Sequence, residues 1–188
     1  MKNKAVARRY AQALFEIAQE KEAIDLYEEE LKFIIEEIKN SKNLELTWVN
    51  KEIVTDEKRN IFKEIFGDKV SEIILNTLFV LIDKHRELIL EGILEVYQQY
   101  ADESRNIQDA EVSSAVQLTD KDFNELTEKL SAMTGKNIRL TVKVDPSIIG
   151  GLVVRIGDKV IDGSVVKRLS VMKKRMKNAQ FSRIGVRD

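Results

Sequence analysis

Asn137-Ile138-Arg139-Leu140-Thr141-Val142-Lys143-Val144 alternates polar and apolar side chains without a break. A period of two is the mark of a half-buried β-strand. Nothing before residue 105 reads this way, so the stretch separates an all-helical chain from one with two kinds of domain. On its N-terminal side, the even positions Ala110, Val112, Val116 and Leu118 predict a second strand over 109–118. Between the two, Thr119-Asp120-Lys121-Asp122 opens a helix carrying Phe123, Leu126, Leu130 and Met133, which Gly135 closes. On the C-terminal side, Leu152, Val154 and Ile156 lead into Gly157-Asp158, and Lys159-Val160-Ile161 returns. Gly-Asp between apolar runs signals a two-residue hairpin. Asp162-Gly163-Ser164 then starts a last helix, expected to turn Val165, Val166, Leu169, Met172 and Met176 inward and its basic residues outward.

Upstream the period is helical. In residues 4–20 the apolar side chains Val6, Ala7, Tyr10, Ala11, Ala13, Leu14, Phe15, Ile17 and Ala18 cover an arc of about 200°. One core face needs about half of that. Either the helix is wedged between two neighbours, or it keeps a second apolar face for a partner. Residues 22–40 form an ordinary amphipathic helix, 44–49 a short helix or turn, and Thr55-Asp56-Glu57 begins a helix to Gly67 with a hydroxyl placed to cap it. The segment 69–83 is apolar all round except for Ser71, Glu72, Asn76 and Thr77. It is either the central helix of the bundle or one wall of a groove that receives an amphipathic helix. Arg86–Arg105 closes the bundle. The class is α+β: an all-α bundle of about six helices over 1–105, a small α/β domain over 106–180, and a tail, 181–188, expected to be disordered.

Composition removes whole classes of function. The 188 residues are 43% hydrophobic and 34% charged, which suits a soluble globular protein. Average usage would give roughly nine prolines; there is one, Pro146, which favours helices. With no cysteine there is no thiolate metal site, disulfide or cysteine nucleophile. The single histidine, His85, lies in Asp83-Lys84-His85-Arg86-Glu87, which reads as a charged interhelix turn. Ile73–Ile82 is the longest apolar stretch, against about 20 residues needed to span a bilayer. The basic N-terminus is followed by no apolar leader core, so a cytosolic or equivalent setting is expected. No phosphate-loop pattern occurs, and the paired carboxylates fit solvated helix faces. Neither a cofactor, a metal nor a catalytic residue is expected. The net charge of −1 conceals an asymmetry: from Ser164 onward there are eight basic residues and one acid, leaving 23 basic and 31 acidic residues ahead of them. Such an end suits docking to an acidic partner or to nucleic acid.

The block Thr141-Val142-Lys143-Val144-Asp145-Pro146-Ser147-Ile148-Ile149-Gly150-Gly151-Leu152-Val153-Val154-Arg155-Ile156-Gly157-Asp158-Lys159-Val160-Ile161-Asp162-Gly163-Ser164 closely resembles the signature of the F-type ATP synthase delta subunit family, which includes the mitochondrial oligomycin sensitivity-conferring protein. Ala7-Arg8-Arg9-Tyr10-Ala11-Gln12-Ala13-Leu14-Phe15-Glu16-Ile17-Ala18 is similar to that family's first helix. The resemblance implies a non-catalytic stator subunit that links the alpha/beta hexamer to the peripheral stalk, so that rotation is coupled to proton translocation and ATP synthesis. It implies one copy per complex, peripheral to the cytoplasmic face of a bacterial membrane and not inserted in it. The helical domain would bind N-terminal helices of alpha subunits in a groove between the first and fifth helices; carried over by position, that groove holds Tyr10, Ala13, Leu14 and Ile17 against Leu75, Leu78, Phe79 and Ile82. The C-terminal domain would bind the b subunits, and Lys167, Arg168, Lys173 and Lys174 are candidates for that contact unless they form a solvated face. Gly150, Gly151, Gly157 and Gly163 are read as shaping turns rather than touching a ligand. The runner-up is a helical nucleic-acid-binding regulator, because Arg8-Arg9-Tyr10 also resembles antitermination factors; the acidic bundle speaks against it, and against any nucleic-acid partner. An enzyme is the weakest reading.

Overall fold

The helical pattern ahead of residue 105 becomes α1 (Lys2–Glu20), α2 (Ile24–Asn40), α3 (Lys42–Val49), α4 (Thr55–Phe66), α5 (Glu72–Asp83) and α6 (Leu90–Ser104), with a 3-10 turn at Glu87–Ile89 ahead of α6. These assignments come from a computed structural model, which describes residues 2–184. The chain divides into two units, Met1–Arg105 and Asn106–Asp188, each with its own apolar core.

In the first unit α1 buries Ala7, Ala11, Leu14 and Ala18, spaced by four, three and four residues, the repeat of a single helix stripe. The small side chains let α6 come close: a Cβ added at Gly92 would stand 3.3 Å from the Cβ of Ala7. Phe15 packs edge-on to Tyr97 at 5.8 Å and beside Tyr100 at 5.6 Å. α5 buries Ile74, Leu75, Leu78, Leu81 and Ile82, an arc of about 120° on the wheel, and leaves the rest of its circumference only partly covered, so it is not buried all round. Its start is pinned. The Ser71 hydroxyl accepts from the Ile74 N–H, while the Ser71 N–H and hydroxyl donate to Glu30 of α2 at 2.9 and 2.6 Å. At α4 the expected hydroxyl cap is absent, because Thr55 is already helical and Val54 holds the cap position; Asp56 and Glu57 still face the positive helix end.

Two charged groups tie the bundle together from inside. Lys58 and Glu87 are 2% and 4% exposed and pair at 2.9 Å. Glu28 of α2 accepts from Lys32, Gln98 and Arg105, and Arg105 also pairs with Asp25. Burial alone would raise the Glu28 carboxyl, but those three donors outweigh it and hold it below the usual carboxylate range.

The second unit runs β1 (Ile107–Ser114), α7 (Asp120–Thr134), β2 (Asn137–Val144), a 3-10 turn at Pro146–Ile148, β3 (Leu152–Ile156), β4 (Lys159–Asp162) and α8 (Val165–Ile184). The sheet order is β2-β1-β3-β4. β1 and β2 are parallel, joined over α7, and the remaining pairs are antiparallel. Thr119 and Asp122 close a capping box on α7, and Gly135 ends it in the left-handed conformation. Ala110, Val112, Val154 and Ile156 form the core with Leu130 of α7. The opposite face is charged, with Arg139 on Asp109 and Lys143 near Glu111.

Three expectations change here. β1 ends at Ser114, matched residue for residue to β2, so Val116 lies beyond the strand and is 69% exposed. Of the five apolar residues expected to face inward on α8, Val165 is half-buried beside Gly150, but Val166, Leu169, Met172 and Met176 are exposed, because α7 already covers the core face and beyond its first turn no described side chain of α8 is buried. The helix also continues through Ile184, into the segment expected to be disordered; 185–188 lie outside the described residues.

Gly151 is held at φ +80°, and a Cβ there would stand 2.4 Å from the Gly163 carbonyl oxygen. That is a fixed backbone atom. Gly151→Ala is expected to cost at least about 1–3 kcal/mol, seen as faster amide exchange at Val153 and Val154; unchanged exchange would refute it.

Candidate functional site

On the surface of the first unit α1 and α5 enclose a groove of about 280 Å³, lined by Tyr10, Ala13, Leu14, Ile17, Ile73, Asn76, Thr77 and Val80. Each helix contributes positions i, i+3, i+4 and i+7, which is one helical face. Leu14 is the closed floor at 3% exposure, while Ile17 and Val80 stand open at 37% and 43%. The Thr77 hydroxyl donates to the Ile73 carbonyl at 2.8 Å, so its hydrogen-bonding need is met within the helix. At Tyr10, Arg86 donates to the phenol oxygen at 3.2 Å, with its guanidinium 5.9 Å from the ring centroid. The α1 wall is therefore apolar with a cation over its one aromatic, while the α5 wall mixes Ile73 and Val80 with Asn76 and Thr77.

All four α1 residues anticipated for a groove lie in it. None of the four anticipated on α5 lines it. Leu78 and Ile82 are fully buried, Leu75 is 9% exposed, and Phe79 is half-buried with the Arg59 guanidinium 4.9 Å from its ring centroid. Ile73, Asn76, Thr77 and Val80 line the groove instead. The lining is displaced from the anticipated set by two residues, about 200° around the wheel. A helix apolar on every side offers no hydropathy gradient to set that phase. The usable signal was Asn76 and Thr77, two polar residues in mid-helix that mark the side facing water.

Lys167, Arg168, Lys173 and Lys174 are all exposed on α8. Beside them the half-buried Val165 and the exposed Leu169, Met172 and Met176 recur at intervals of four, three and four, a 3.5-residue seam of the coiled-coil kind. His85 sits exposed in the turn after α5, at φ +53°. Among the described residues no cluster of three His, Cys, Asp or Glu side chains could hold a metal ion, and no helix is long and apolar enough to cross a membrane. The deeply buried ammonium of Lys58 is fully engaged, by the Glu87 carboxylate and the carbonyls of Trp48 and Asn50. What the surface offers is docking.

The family described as ATP synthase delta (OSCP) subunit matches residues 6–176. An ATP synthase subunit delta from Desulforamulus reducens is 46% identical over 172 residues, 92% of this chain and 95% of that protein. One from Syntrophomonas wolfei is 41% identical over 182 residues, 97% of this chain and all of the relative. The fold is shared with a chain in the cryo-EM structure of the Toxoplasma gondii mitochondrial ATP synthase hexamer, with a TM-score of 0.63, 18% identity and coverage of 90% and 96% of the two chains. The match includes Arg8-Arg9-Tyr10, so the regulator reading has no support. The chain belongs to the ATP synthase delta (OSCP) subunit family, and its part in the complex is that of a non-catalytic stator subunit.

Proposed function

We propose that the two units share the work of the stator between them, the α1/α5 groove holding the N-terminal helix of an alpha subunit and the seam of α8 holding the b subunits of the peripheral stalk. The observation that carries the first half is the groove itself, whose two walls each present a complete i, i+3, i+4, i+7 face with open aliphatic side chains. An amphipathic helix laid there buries apolar area at about 25 cal/mol per Å². The second half rests on α8, a basic helix with an apolar seam that its own unit leaves uncovered. A stalk helix with an apolar stripe flanked by acids would complete that seam. One copy, at the cytoplasmic face of the membrane, would then keep the hexamer from turning with the rotor.

The test is separability. Leu169→Glu with Met172→Glu is expected to leave the unfolding midpoint of the free chain unchanged, since both side chains are more than half exposed. It should weaken capture of b by at least about tenfold, because carboxylates replace the seam, and leave alpha-peptide affinity intact. Loss of both contacts together, or of neither, would overturn the assignment.

A further inference from the structure

A second groove, between α1 and α6, shares no lining residue with the first and is larger, about 620 Å³. Its floor is set by close helix approach. Gly92 has no side chain and faces Ala7, so the surface dips where the two helices meet. Leu88 forms one lip and is 69% exposed, the most open large hydrophobic residue described in the helical unit; Val96 and Ala5 extend the apolar surface. Along the α1 wall stand Lys4, Arg8 and Arg9.

Lys4 breaks a local rule. The first turn of α1 contains no acid, although the positive end of a helix favours one. Among the described residues neither Arg8 nor Arg9 forms an ion pair, and Glu95 is the one acid on the lining. An exposed leucine on a dipped apolar floor beside an uncompensated basic wall has little to gain in the free chain. It acquires a reason when something apolar and acidic lies in the groove.

We propose that the α1/α6 groove is a second docking site, and that it takes an acidic amphipathic α-helix from another subunit of the ATP synthase complex. The apolar stripe of that helix would cover Leu88 and Val96 while its carboxylates meet Arg8 and Arg9. A helix suits the groove better than nucleic acid, because no aromatic side chain lines it to stack a base. The site does not depend on what occupies the α1/α5 groove.

The experiment places a photo-reactive benzoylphenylalanine at Leu88 in the purified complex and maps the cross-linked peptide by mass spectrometry. The expected product joins Leu88 to a subunit segment with apolar residues at helical spacing and net negative charge, and its yield falls at least about fivefold in Arg8→Glu/Arg9→Glu, the loss expected when two cations that meet carboxylates are reversed. In parallel, the full-length chain is titrated with a synthetic 20-residue helix bearing leucine at i, i+3, i+4 and i+7 and glutamate elsewhere. Arg8→Glu/Arg9→Glu should weaken that binding about tenfold or more, and the lysine version of the peptide should not bind. A cross-link to lipid, to RNA or to a basic segment, the absence of any cross-link, or peptide affinity indifferent to Arg8 and Arg9 would each overturn the proposal.

Discussion

Replacing Ile17 and Val80 together by glutamate is expected to weaken capture of the alpha N-terminal helix by about 100-fold, close to 3 kcal/mol, with the fold undisturbed. The two side chains lie on different walls of the α1/α5 groove and are 37% and 43% exposed in the free chain. Burying the remaining area of each stabilises the complex by on the order of 1 kcal/mol. A carboxylate in the same place adds a desolvation cost, because the cation beside the groove, Arg86, is already engaged with Tyr10. Titration of the full-length chain with an alpha N-terminal peptide measures the change, and urea unfolding checks the fold. The comparison variant is Leu78→Ala, whose side chain is fully buried on the other side of α5. It should destabilise the bundle by about 2–5 kcal/mol and leave the affinity of the folded fraction nearly unchanged. Undiminished binding by the double glutamate variant would remove the groove from the alpha contact.

Lys58→Met is expected to destabilise the helical unit by about 3–5 kcal/mol, the range for breaking one side of a buried ion pair. All three ammonium protons are used: Lys58 donates to Glu87 at 2.9 Å, to the Trp48 carbonyl at 3.0 Å and to the Asn50 carbonyl at 2.6 Å. The two carbonyls belong to the C-terminal end of α3, where no helical partner exists for them. One amine therefore joins α4 to the end of α3 and to the turn ahead of α6. Its loss strands the Glu87 carboxylate at 4% exposure. Trp48, the only tryptophan, is 5% exposed with its ring centroid 4.9 Å from that of Phe62, so its fluorescence reports the event directly. Adding Glu87→Leu to Lys58→Met should recover part of the loss, since it removes the stranded charge. A cost below about 1 kcal/mol for Lys58→Met, or purely additive effects, would show that the pair does not hold the bundle.

Both sites show where reading the chain alone reaches its limit. Lys58 lies in Asp56-Glu57-Lys58-Arg59, a run that reads as a solvated first helical turn. Its burial follows from the approach of the 3-10 turn at Glu87, 29 residues away. The wheel of α1 shows more apolar arc than one core face needs, but only position in the resemblance assigns its residues to a groove. The α5 side of the groove was not legible, because hydropathy is nearly uniform around it.

The amino-acid order by itself determined the two periods, and with them the class: helical repeats to about residue 105, then alternation, Gly-Asp and the glycine-bearing signature that identifies the family. Local rules suffice there, since backbone geometry converts spacing directly into a helix or a strand. Which apolar faces become core and which stay open was decided only by tertiary packing. α7 reached the sheet and left α8 with an uncovered seam, and α1 met α6 through Ala7 and Gly92 and left α5 a groove on its other flank. An apolar side chain carries the same hydropathy in either place; only the geometry of its neighbours determines whether it is removed from water within the chain or kept for a partner.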